Sequence, residues 1–394
     1  MNLSSEAYVE KIQARIRRNP QDADAYAQLG LARLQQVRET ADAVLYTQAE
    51  MAFQSALAHD PQQIDALIGQ GQLALARHDF QAALDWGNKA RQLNPYRAAA
   101  LGILVDAYVE LGQYEQAATT LQQMVDLRPD LASFTRVSYL RELYGDVPGA
   151  IEAMQRAVET GAPGHENTLW TLTQLANLYF SSGRWDEAEQ LYRQALTFQP
   201  DYVYALAGMA NVAAARGYPE TAISLYVDLV ERYPLASFVI ALGDLYTVTG
   251  QPAAAAQQYE LVGVIQALNA NAGMNVDLEL ALFDADQGID PQKTVAAARA
   301  VYDRRPSIHA ADTLAWALYQ AGDYQAAARY SQEALRLSTK DALFHYHAAL
   351  IAHALGDLDA ARTHLRQVQA INPAFSIRYA DAARALLAQL EQMP

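Results

Sequence analysis

Five prolines constrain this chain more than any other feature. Pro61, Pro95 and Pro129 stand 34 residues apart, and Pro200 and Pro234 repeat the interval, each closing an alanine-rich stretch of helical character. The spacing ahead of them recurs too. Ala49, Phe53, Ala56 and Pro61 return as Ala188, Tyr192, Ala195 and Pro200, and again as Ala222, Tyr226, Leu229 and Pro234. A glycine keeps the same beat at Gly112, Gly145, Gly183, Gly217, Gly250, Gly288, Gly322 and Gly356, in steps of 33 to 38 residues. Each proline and glycine thus marks out one short repeated unit. It cannot bury its apolar face alone, so neighbours must stack into a continuous core. Two antiparallel helices in close contact need small residues where their axes approach and bulky ones beside them. Ala188 and Ala195 are spaced for the first role, and Leu175, Tyr179 and Tyr192 for the second.

The pattern resembles the tetratricopeptide repeat (TPR) family, whose unit is a 34-residue helix-turn-helix. Its clearest copies are 96–129, with Leu101, Leu104, Tyr108, Gly112, Tyr114 and Ala117, and 167–200, with Leu172, Leu175, Tyr179, Gly183, Trp185, Ala188, Tyr192, Ala195 and Pro200. The copy at 273–306 keeps only Gly288 and Pro306, and the one ending near Thr339 has no closing proline. The resemblance covers nearly the whole chain. It implies an all-α fold, a right-handed α-α superhelix (solenoid) of about ten repeats with a C-terminal capping helix.

Interruptions at 161–167 and 267–275 set the expected divisions. These are 1–164 (leading helix and repeats 1–4), 165–272 (repeats 5–7) and 273–394 (repeats 8–10 and the cap). An insertion of about seven residues near 35–48 is expected between the two helices of the first repeat. A leading helix over 5–18 has Ser4 or Ser5 as its N-cap. A trailing amphipathic helix over 376–393 carries Ala382, Leu386, Leu387 and Leu390 on one side. The trailing helix covers the last repeat, and self-association through its remaining apolar stripe stays open.

Composition narrows the function classes. A formal net charge of -15 without a dense basic stripe argues against nucleic acid, whose binding rests on Lys and Arg. There is no cysteine, hence no disulfide, thiolate nucleophile or Cys-based metal site. No stretch approaches the roughly 18 to 20 apolar residues that cross a bilayer, so direct membrane insertion is not expected. The expected compartment is the cytoplasm. The alternative is export with a signal sequence absent from this chain.

Catalytic signatures are missing: GxSxG, the phosphate loop GxxxxGK and HExxH do not occur. The GQG at 69–71 sits inside a repeat helix and reads as helix packing. Asp284, Asp286 and Asp290 resemble the start of a calcium loop, but the glycine comes one position early and Val295 stands where glutamate is required. Their other reading is as helix caps. His345, His347, His353 and His364 make no i, i+4 pair. His165 and Glu166, neighbours in a loop, lack a third orienting group. No cofactor, metal or enzymatic activity is expected.

The resemblance implies that the first helix of each repeat lines a concave groove, with the residue after its small position facing inward. These positions are Gln72, Asp106, Tyr139, Asn177, Asn211, Asp244 and Trp316. Amide and carboxylate side chains one repeat apart can pair with the backbone of an extended peptide. They can equally be ordinary solvated positions. Trp170, Tyr204, Trp316 and Tyr319 are candidates for aromatic groove walls. The expected function is a non-catalytic protein-interaction scaffold or adaptor that binds an extended partner segment. The alternative is an accessory or assembly subunit contacting a larger complex through convex or edge surfaces. On this placement Ala195→Phe overpacks a helix crossing while Asn211→Ala costs little.

Overall fold

The computed structural model describes residues 5–40, 42–271, 273 and 277–393. Every regular element among them is an α-helix. The chain forms two compact units, Met1–Pro129 with Ala267–Val276, and Asp130–Gln266 with Asp277–Pro394.

The first unit opens with α1 (Ser5–Arg18), whose Val9 and Ile12 pack on Ala25 and Ala32. Three helix pairs follow: α2 (Ala23–Thr40) with α3 (Val44–His59), α4 (Ile64–Ala76) with α5 (Phe80–Leu93), and α6 (Ala98–Glu110) with α7 (Tyr114–Leu127). The candidate cap Ser4 lies outside the described residues. The insertion in the first repeat extends a helix: α2 has 18 residues where α4 and α6 have 13. Lengthening a helix satisfies the added backbone hydrogen bonds internally, which a loop would leave to water. Gly69 justifies itself by packing. Phe53 of α3 seats its ring where a Cβ on Gly30 or Gly69 would have to lie.

The second unit holds seven pairs. They are α8 (Leu131–Leu143) with α9 (Val147–Thr160), α10 (Glu166–Ser181) with α11 (Trp185–Phe198), α12 (Val203–Ala215) with α13 (Pro219–Arg232), α14 (Ala236–Val248) with α15 (Pro252–Asn271, which belongs to this unit as far as Gln266), α16 (Asp277–Gln287) with α17 (Pro291–Arg304), α18 (Ile308–Gln320) with α19 (Tyr324–Ala334), and α20 (Ala342–Ala354) with α21 (Leu358–Ile371). Helix α22 (Ala380–Glu391) ends the chain. Helix α15 runs to 20 residues, into the interruption at 267–275, of which residues 272, 274 and 275 lie outside the described residues.

Several aspartates serve helix starts. The Asp130, Asp146, Asp323 and Asp357 carboxylates each accept a backbone N–H in the first turn of the following helix, where the helix dipole also favours negative charge. Asp290 does the same for α17 ahead of Pro291, while Asp284 and Asp286 lie inside α16. The three acids therefore do not form one loop.

Two places bring distant parts of the second unit together. Gly145, at φ +73° in the turn between α8 and α9, abuts the Ser338 carbonyl, and only glycine leaves room there. Asn372, 1% exposed, donates its side-chain amide to the Phe180 carbonyl at 3.0 Å. The start and end of this unit thus meet.

The trailing helix starts later than its sequence pattern suggests. The Ser376 hydroxyl accepts the backbone N–H groups of Arg378 and Tyr379, both at 3.2 Å, and this local turn displaces the first helical turn. Within α22, Ala383 and Leu390 are fully buried and Leu386 and Leu387 pack at the core edge, whereas Ala382 is exposed.

Candidate interaction surface

In the second unit, first helices of successive pairs touch one another as well as their own partners, as α10 does α12, and α16 and α20 do α18. This places them on the inner side. Three consecutive first helices carry a polar residue held in the same way. Asn177 on α10 accepts the Tyr192 hydroxyl at 2.6 Å, Asn211 on α12 accepts Tyr226 at 2.7 Å, and Asp244 on α14 accepts Tyr259 at 2.8 Å. Each tyrosine follows its acceptor by 15 residues. Burial pushes the Tyr192 and Tyr226 phenols up, keeping them protonated donors. Tyr192 and Tyr259 also pack where a Cβ on Gly208 or Gly243 would lie. The signal was present in sequence, because Tyr192, Tyr226 and Tyr259 keep the period of their acceptors.

The rest of the inner set is not uniform. Gln72 on α4 and Asp106 on α6 are half-buried in the first unit. Tyr139 on α8 is 37% exposed and lines a cavity with Glu142 and Asp341. Trp316 is a correction: only 2% exposed, its indole lies between Tyr319 and His347, with ring centroids at 5.0 and 4.2 Å. Its Nε1 donates to Asp286 at 2.8 Å. The position 15 residues on is Ser331, so no tyrosine hydroxyl is available there. Of the other candidate wall residues, Trp170 is 40% and Tyr204 36% exposed.

Sequence reasoning missed what lies against this row. Residues 372–379, non-helical, run along the inner first helices. Phe375 packs on Tyr346 at 5.4 Å between centroids, and Ile377 joins the core of α12–α14. Arg378 Nη1 stands 3.8 Å from Asp244, and the Tyr379 hydroxyl donates to Asp286 at 2.7 Å while its ring stacks on Tyr346 at 5.0 Å. Burial pushes the Asp244 carboxyl up to about 6 against the downward pull of Tyr259 and Arg378, with Asp286 adding a further push. Two cavities flank the segment. One of about 500 Å³ lies toward α8 and α20, and one of about 460 Å³, reached by Asn211, lies toward α12 and α14. Phe180 and Phe375 line both.

Titratable groups elsewhere pair off. His345 and His364 face each other at 3.0 Å between Nδ1 atoms, and burial holds His345 down to about 4. His347 meets Asp312 at 2.8 Å inside the core. Among the described residues no group of three or more His, Cys, Asp or Glu is placed to hold a metal ion. No helix among them is long and apolar enough to cross a membrane.

Sequence models described as tetratricopeptide repeat match residues 145–201, 74–142, and 45–98 with 313–374. The chain belongs to the tetratricopeptide repeat family. Among curated relatives, a peroxisomal targeting signal receptor of Komagataella phaffii is 24% identical over 206 residues, 51% of this chain and 34% of the receptor. Anaphase-promoting complex subunit 7 of Arabidopsis thaliana is 22% identical over 242 residues, 60% of this chain and 42% of that subunit. The match thus spans well under half the length of either. Human IFIT1, solved as a dimer with PPP-AAAA, superposes with a TM-score of 0.54 at 15% identity, covering 84% of this chain and 78% of that one, a likeness of fold.

Proposed function

We propose that this TPR chain is a protein-interaction scaffold rather than an enzyme, and that it binds an extended partner segment along the inner first helices. The observation that carries the reading is the row Asn177, Asn211 and Asp244, one repeat apart and each oriented by a tyrosine hydroxyl from its own repeat. Such pre-oriented polar groups lose little entropy on binding, and each hydrogen bond to a peptide backbone contributes about 1 kcal/mol net. One relative is named as a receptor for a targeting signal and another as a subunit of a complex, which agrees with partner binding. With a net charge of -15, a neutral or basic segment is steered in faster than an acidic one, and added salt slows the encounter.

A photo-crosslinking residue at Tyr139 on the inner side, compared with one at Arg193 on the second helix α11, tests this in native lysate. A partner captured at 139, and lost with Asn177→Ala/Asn211→Ala/Asp244→Ala, supports the reading. Capture at 193 alone replaces it with an accessory subunit that binds through its outer surface.

A further inference from the structure

We propose that residues 372–379 are an intrachain occupant of the inner face of the second unit, standing where a partner segment of the same chemistry docks. That chemistry is an aromatic, an aliphatic, a basic and an aromatic side chain in the order of Phe375, Ile377, Arg378 and Tyr379. The inference rests on the scaffold reading and specifies its partner.

The segment is a run of turns, with the Phe375 N–H on the Asn372 carbonyl at 3.2 Å and the Ala380 N–H on the Ser376 carbonyl at 3.3 Å, and it meets the first helices through its side chains: Asn372 on α10, Arg378 on α14, Phe375 on α20, and Tyr379 on α16 and α20. Half-open clefts of about 500 and 460 Å³ border it on two sides, and residues 373–379 are only half-buried. Arg378 Nη1 is buried with no hydrogen-bond partner, 3.8 Å from Asp244. A segment of free length can bring a cation closer to the Asp244 and Asp286 carboxylates and fill both cavities. A tethered occupant of modest intrinsic affinity still competes, because tethering supplies an effective concentration in the millimolar range.

The test uses the full chain and a fluorescein-labelled peptide copying residues 370–381, with binding read by anisotropy. Phe375→Ser/Tyr379→Ser loosens the intrachain segment, and circular dichroism confirms that the variant stays helical. The expected result is binding about 10-fold tighter to the loosened variant than to the unchanged chain, with a scrambled peptide inert and Asp244→Asn removing most of the gain. A second measurement does not need that variant. The chain lacks cysteine, so Ser376→Cys/Arg193→Cys takes two nitroxide labels, and saturating peptide must shift the distance between them. Equal affinity for both proteins, no binding to either, or binding without a distance change overturns the inference. Dimer formation by the loosened variant in light scattering also overturns it, the occupant then being a second copy. If the peptide fails while a native partner still crosslinks at Tyr139, the scaffold reading stands and this assignment alone falls.

Discussion

Asn211 shows how one side chain can serve two readings. As a solvated groove position its removal would be nearly free. In the structure it accepts the hydroxyl of Tyr226, whose ring is 2% exposed and whose oxygen, among the described residues, otherwise reaches only the Ala207 carbonyl, at 3.5 Å. Asn211→Ala therefore leaves a buried donor poorly satisfied and costs about 1–2 kcal/mol in urea unfolding, close to the 1–3 kcal/mol expected for Ala195→Phe at its fully buried position. Adding Tyr226→Phe recovers part of that loss, and strictly additive effects would show that the two do not interact. Glu142 yields a prediction of a different kind. Burial, with the neighbouring Asp341 charge, pushes its carboxyl from 4.5 up to about 7. The folded state then holds this proton more tightly than the unfolded chain, so the contribution is most favourable below pH 4.5 and is lost as pH rises to 7. Glu142→Gln should flatten the melting temperature over that window and stabilise the protein at pH 7 by about 1–3 kcal/mol. An unchanged pH profile would refute it.

At the scale of the helix, the repeats are set by where small residues are compulsory. Phe53 of α3 lies over Gly69, so Gly69→Ala forces the ring away and costs about 1–3 kcal/mol. Gly263, inside α15 with nothing near its missing Cβ, behaves oppositely, and Gly263→Ala stabilises by about 0.5–1 kcal/mol through helix propensity. Thermal melts of the two variants must move in opposite directions. Period and composition made these helices legible, because a closing proline, a small crossing residue and a turn glycine recur at fixed offsets. The start of α22 was not legible. Its apolar pattern extends back to residue 376, and the hydroxyl of Ser376 takes the N–H groups that would have opened the helix.

For the whole molecule, the informative contact joins residues far apart in sequence. In an open repeat array each unit feels only its neighbours. Here Asn372 donates to Phe180, 192 positions earlier, within the seven-repeat unit. Asn372→Ala should lower the opening free energy by about 1–2 kcal/mol in hydrogen exchange, and protection should fall in α10 together with α21. Loss confined to α21 would mean that the contact does not couple the two repeats.

The sequence by itself determined the helical class, the helix-turn-helix period, the ten pairs and the positions where small residues must stand, since all of these follow from short-range spacing and from packing between adjacent units. It also placed Asn177, Asn211 and Asp244 at equivalent steps. Only the tertiary structure decided that tyrosines 15 residues on hold them, that Trp316 turns into the core, and that residues 372–379 lie along the inner helices. The physical reason is range. Periodicity reports what each repeat does to the next, whereas the contacts of Asn372, Arg378 and Tyr379 exist only once seven repeats have stacked far enough to bring the end of the chain back to their inner side.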